Sequence, residues 1–135
     1  LEAVKSLSNE GIKLNVTAVF TLKQVLTSMI SLNPEVPSII SIFAGRIADT
    51  GHPPHNVFYE AQQFRKALKS NVELLWASPR EAFNYHDAES CGADIITMTP
   101  DLIKKVNGFG KDLNQFSLET CQMFHADAVK SGFSI

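Results

Sequence analysis

The hydrophobic positions of the chain switch repeatedly between helical spacing and short continuous apolar runs. Leu1, Val4 and Leu7 share one helical face and Gly11 follows as a favoured residue just past a helix end, which predicts a helix over residues 1–10. Residues 12–20 are rich in β-formers with no internal Gly or Pro and predict a strand. Thr21 with Gln24 makes a capping box for a helix running to about Leu32, where Asn33-Pro34 breaks it. A second strand follows over 38–43, Gly45-Arg46 is its exit, and 48–55 reads as a loop. Phe58, Ala61, Phe64 and Leu68 then fall on one face of a helix from about Val57, ahead of a third strand over 72–77.

At the end of that third strand Ser78 is a good N-cap, Pro79 suits the first helical position and Glu81 stands where a capping box wants it, so a helix is predicted over 79–91, ended by Gly92. Residues 93–98 form a fourth short strand, and Thr99-Pro100-Asp101 repeats the cap-then-proline entry. A turn around Gly108 and Gly110 leads to a last helix over 117–130, with Leu118, Cys121, Phe124 and Ala128 as its buried stripe.

Strand-helix alternation with uniformly apolar strands implies a parallel sheet covered on its faces. Two architectures satisfy it, an open doubly wound sheet and a (β/α) barrel. An open sheet that binds a nucleotide carries a Gly-rich turn after its first strand, and Phe20-Thr21-Leu22-Lys23 has no glycine, which favours the barrel. The fold class is therefore α/β, built of parallel (β/α) units in a single domain over residues 1–135.

Composition narrows the function classes. A 135-residue chain with formal net charge -2, 44% hydrophobic and 19% charged residues is an ordinary soluble composition, expected in the cytoplasm. No apolar run approaches the ~20 residues of a membrane span and no charged-then-apolar leader opens the chain, so no membrane partner is expected. Lys and Arg form no cluster dense enough to track a nucleic acid. Cys91 and Cys121 lack the spacing of a zinc site and read as bystander thiols.

The candidate chemistry lies at the strand ends. Side-chain alternation puts Asn15 and Thr17 on one face of the first strand, with Leu14, Val16 and Ala18 on the other; Ser41 and Phe43 face together in the second. In a barrel these faces converge at the carboxyl ends of the strands, where chemistry is kept. Arg46 and Arg80 belong to two different strand exits, no acidic residue is expected at a matching junction, and Ser78 adds a hydroxyl and a helix N-terminus. Together they predict a site for a phosphorylated ligand. A well-capped helix with a solvated arginine, and an Asn15–Thr17 hydrogen bond inside the barrel, are the structural alternatives.

The segments Gly11–Phe20, Ser41–Asp49, Ala77–Arg80 and Gly92–Thr97 resemble the second half of a transaldolase, and the resemblance spans essentially the whole chain. It implies about half of a TIM-type (β/α)8 barrel, and an activity that moves a dihydroxyacetone unit between sugar phosphates through a lysine Schiff base, with no cofactor. By the same resemblance Thr17 would position the proton-shuttling water and Asn15 and Ser41 would bind substrate hydroxyls. Arg46 and Arg80, supported by Ser78, would hold the phosphate, and Phe43 would mark the transferase branch, since the related fructose-6-phosphate aldolases carry tyrosine there.

The nucleophilic lysine of that family lies on its fourth barrel strand, and the chain reads as starting in the helix after it. Lys5 and Lys13 do not match it by motif, so the chain alone is expected to be inactive. Four strands with open edges are expected to find a partner, a second copy closing the barrel being the simplest. The remaining polar residues carry structural expectations: His52 and His55 flank two prolines without making a metal site, Trp76 packs between strand and helix, Asp49 caps the turn at Thr50-Gly51, and Asp94 starts a strand at the end remote from the site.

Overall fold

A computed structural model describes residues 1–132 of the chain. The elements run α1 (Glu2–Asn9), β1 (Asn15–Val19), α2 (Leu22–Ser31), β2 (Ser38–Ile42), α3 (Ala44–Asp49), α4 (His55–Ala67), β3 (Val72–Trp76), α5 (Asn84–Ser90), β4 (Ile95–Ile96), α6 (Pro100–Val106) and α7 (Leu113–Lys130). The four strands are parallel and ordered β1-β2-β3-β4, each beside its neighbour in sequence. A doubly wound sheet reverses its order at a switch point. Here the order never reverses, and the arrangement is that of a partial (β/α) barrel.

Register sorts the strand residues between the two faces. Val16, Ile40 and Leu74 align on one face, continued by Ile42, Trp76 and Ile96. That face is sealed by α2 and α4, which supply Val25, Met29, Phe58 and Ala61, and the Trp76 ring stacks on Phe58 with centroids 5.2 Å apart. Burying each such large side chain contributes on the order of 1.5–3 kcal/mol, so this layer is the main source of stability. The other face carries Asn15, Ile39 and Glu73 in one row and Ser41 and Leu75 in the next. β1 is an open edge, and a groove of about 420 Å³ runs beside it, lined by Val16, Thr17, Ala18, Lys23 and Thr27 among others.

Local signals decide most of the remaining boundaries. Thr21 accepts from the Gln24 backbone N–H while the Gln24 side chain accepts from Thr21 N–H (2.9 Å), the expected capping box. Thr99 caps α6 with Pro100 behind it, as expected. At the remote end Asp94 accepts from Leu74 N–H (2.8 Å) and pairs with Arg65, locking β4 to β3 away from the site.

Several expectations are corrected. β1 starts at Asn15 and β4 is only Ile95–Ile96, shorter at both ends than their apolar runs. Residues 44–49, read as strand exit and loop, form the helix α3. The alternation of β1 breaks after Thr17: the register slips between Val16 and Val19, Ala18 takes φ +59°, and Val19 instead of Ala18 turns to the core. This is a β-bulge, which leaves Thr17 and Ala18 both exposed. On α4 only Phe58 and Ala61 of the predicted stripe are buried; Phe64 and Leu68 are exposed. α7 begins at Leu113, capped by Asp112, and has no buried residue; its predicted core stripe includes Phe124 at 62% exposure.

The helix predicted from Pro79 starts instead at Asn84. Ser78 sits at φ +60°, a left-handed conformation that an N-cap does not use, and its side chain caps nothing. The Asn84 side-chain oxygen accepts instead from Arg80 N–H (2.8 Å) and Glu81 N–H (3.2 Å), so residues 79–83 form a loop stapled to the first turn of α5.

Candidate functional site

The exits of β1, β2 and β3 are bolted together by backbone hydrogen bonds that continue the sheet beyond its strands. Phe43 N–H donates to Val19 O (2.9 Å), Ala77 N–H to Ile42 O (2.8 Å) and Gly45 N–H to Ala77 O (3.3 Å). Gly45 is required there by space. A Cβ on it would stand 1.6 Å from the Ser78 carbonyl oxygen, and 3.3 Å from Cγ of Arg80. The first turn of α3, carrying Arg46, is thereby pressed against the loop carrying Ser78 and Arg80. The segments that carry these two arginines, distant in sequence, adjoin at neighbouring strand exits.

Arg46 is exposed, with its guanidinium carbon 5.6 Å from the centroid of the Phe43 ring, a cation–π contact. Phe43 in turn lies 5.7 Å from Phe20 at the end of β1. Among the described residues Arg46 has no carboxylate partner. Arg80 does have one: its Nε donates to both Asp49 oxygens (3.2 and 3.0 Å) and its Nη2 also reaches Oδ2. Asp49 is the last residue of α3 and caps no turn, and its pairing corrects the expectation that no acidic residue stands at these junctions.

Below the arginines, the Ser41 hydroxyl donates to the Asn15 side-chain oxygen (2.7 Å). This cross-strand pair replaces the alternative Asn15–Thr17 bond. Ser41 is buried whereas Asn15 and Thr17 are exposed, so the amide nitrogen of Asn15 and the Thr17 hydroxyl remain open to a ligand. The structure thus brings Phe43, Arg46, Ser78 and Arg80 to one rim, with Asn15, Thr17 and Ser41 on the strands leading to it.

Behind the rim lies a network that the sequence did not disclose. Asn84 Nδ2 donates to Asp87 Oδ2 (2.9 Å), and Asp87 Oδ1 lies 3.2 Å from His55 Nε2 at the start of α4. The His55 ring meets Trp76 edge-on at 5.6 Å. His55 is therefore part of a clasp between α4 and α5, and His52 Nδ1 contacts the Thr50 hydroxyl (3.0 Å). Among the described residues no three His, Cys, Asp or Glu side chains converge as metal ligands, and no helix is long and apolar enough to cross a membrane.

Of the two thiols Cys91 is buried and Cys121 exposed; burial pushes the Cys91 thiol up from its ordinary 9.0 to about 11. A thiol in that environment holds its proton and is a poor nucleophile.

Consecutive parallel strands with helices packed against one face define part of a (β/α) barrel. The chain belongs to the transaldolase/fructose-6-phosphate aldolase family, whose family profile matches residues 1–135. A probable transaldolase of Methanococcus maripaludis (strain C5 / ATCC BAA-1333) is 32% identical over 127 residues, 89% of this chain and 57% of that protein. One from Nitrosopumilus maritimus (strain SCM1) is 35% identical over 107 residues, 78% of this chain and 46% of its own. One from Brucella ovis is 32% identical over 135 residues, 100% of this chain and 58% of its own. The chain spans about half the length of the curated relatives it matches.

Proposed function

We propose that these residues form the phosphate- and hydroxyl-binding side of a transaldolase-type site, which transfers a dihydroxyacetone unit between sugar phosphates through a lysine Schiff base carried by another part of the barrel. The observation that carries this reading is the close approach of the segments bearing Arg46 and Arg80 at adjoining strand exits, where Gly45 is pressed against Ser78. Guanidinium groups offer paired donors that match the oxygens of a phosphate. Asn15 and Ser41 bind ketose hydroxyls in this reading, Thr17 holds the proton-shuttling water beside the bulge, Ser78 supports the phosphate, and Phe43, which braces Arg46, marks the transferase branch.

The nucleophile is not assigned to this chain. Every lysine among the described residues is exposed, and a Schiff-base lysine must be desolvated or set beside another cation to lose its proton at neutral pH. Calorimetric titration with inorganic phosphate and with fructose 6-phosphate tests the grip. Arg46→Ala and Arg80→Ala should each weaken binding roughly tenfold or more, the worth of a lost charge-assisted hydrogen bond. Unchanged affinity in both variants refutes the assignment. Borohydride reduction in the presence of fructose 6-phosphate should leave every lysine of the chain unmodified, and an adduct on any of them overturns the statement about the nucleophile.

A second reading is favoured by the open edge of β1 and the groove beside it: an oligomeric half-barrel without catalysis, in which phosphate binding is vestigial. In this reading two copies related by a twofold axis close an eight-stranded barrel, covering edges that are otherwise sticky. Size-exclusion chromatography with light scattering decides it, since a stable monomer removes the closed pair.

A further inference from the structure

The phosphate arginines are not equivalent. Arg46 has no carboxylate partner among the described residues, whereas Asp49 occupies one whole edge of the Arg80 guanidinium, with Nε and Nη2 both directed at its carboxylate. That edge is the one a phosphate would take in the same side-on manner.

Three features say what the pairing is for. Asp49 ends α3, where a negative charge faces the negative end of the helix dipole and gives the helix nothing. Arg80 does not need Asp49 to hold its place: its backbone N–H is fixed on Asn84 (2.8 Å), and its Cγ packs where Gly45 leaves room. Both partners are half exposed, 50% each at the side chain, so the pair opens to water at little cost.

We propose that Asp49 is a built-in competitor for the phosphate edge of Arg80, released when a ligand arrives, and that it makes the site selective for phosphate over carboxylate ligands. This rests on the phosphate-grip reading above. A ligand carboxylate gains nothing on that edge, because it exchanges one carboxylate for another. A phosphate dianion brings a second charge to the Arg80 guanidinium, so it alone displaces Asp49.

The test titrates inorganic phosphate and gluconate into the wild-type chain, Asp49→Asn, Asp49→Glu and Arg80→Ala, with a thermal melt of each. Asp49→Asn should bind phosphate about three- to tenfold more tightly, from removal of a screened like charge. Its preference for phosphate over gluconate should shrink, while Asp49→Glu should keep the wild-type values. Should Asp49→Asn fail to fold, Asp49→Ser at the same exposed position is read in its place. Tightening without added thermal stability separates competition from a structural role, which would weaken binding or leave it alone. Unchanged or weaker phosphate binding in Asp49→Asn, while Arg80→Ala still loses affinity, overturns this proposal only. Phosphate binding that is insensitive to Arg80→Ala and Arg46→Ala, or absent from the wild-type chain, overturns the underlying grip as well.

Discussion

Replacing Gly45 by alanine is the sharpest test of how the two arginine-bearing segments are held together. Gly45 is not at a positive φ, so an alanine there meets no backbone strain, and the whole effect comes from space. The added Cβ would lie 1.6 Å from Ser78 O, less than half the ordinary carbon–oxygen approach of about 3.3 Å, and 2.7 Å from Ser78 C, well under the roughly 3.5–4.0 Å usual between carbons. Both obstructing atoms are backbone, so no side chain can rotate away; α3 must lift off the β3 exit, and the Gly45–Ala77 hydrogen bond lengthens or breaks. Overpacking of this kind costs about 1–3 kcal/mol, and a lost hydrogen bond adds about 1 kcal/mol. A total of about 2–4 kcal/mol should move the urea midpoint down by roughly 1–2 M at the slopes usual for small domains. Gly11→Ala is the control: Gly11 has φ +82° with no atom within 4 Å of its Cβ position, so its cost is conformational alone, about 1–2 kcal/mol. If Gly45→Ala unfolds within about 0.5 kcal/mol of wild type, a range usual for surface substitutions, the close approach is not real and the juxtaposition of Arg46 with Arg80 loses its support.

Two further outcomes follow from the same geometry. Asn84→Ala removes the acceptor for Arg80 and Glu81 N–H, so those two amides should exchange hydrogen faster and the fold lose about 0.5–1.5 kcal/mol; unchanged exchange at both would show that the staple is unimportant. Cys91 keeps its proton to about 11 when folded and releases it near 9.0 when unfolded, so the folded state binds more protons in that window and stability should fall as pH rises from 9 to 11. Urea midpoints across that range should show this extra slope in wild type and not in Cys91→Ala, and equal slopes would contradict the burial argument.

How far the chain could be read from its residues alone depends on whether each signal was answered locally. Thr21-x-x-Gln24 and Ser78-x-x-Glu81 are the same capping pattern, yet only the first forms. Around Thr21 both partners lie within one turn and nothing distant competes. At Ser78 the carbonyl is pressed against Gly45, 33 positions earlier in the chain, and the residue adopts φ +60°, so a tertiary contact overrides the local preference and Asn84 takes up the loose N–H groups from the far side. The bulge at Ala18 and the pairing of Asp49 with Arg80 were hidden for the same reason: each is set by a neighbouring strand exit instead of by adjacent residues. The four parallel strands and their helices were legible because apolar runs and their period survive any such adjustment. The failed cap also changes the chemistry expected of the rim. A phosphate approaching Ser78 meets no row of free helix N–H groups, since those of Arg80 and Glu81 are already bound to Asn84. In the proposed phosphate site, recognition would therefore rest on the guanidinium groups of Arg46 and Arg80, and this is what would give the carboxylate of Asp49 its leverage.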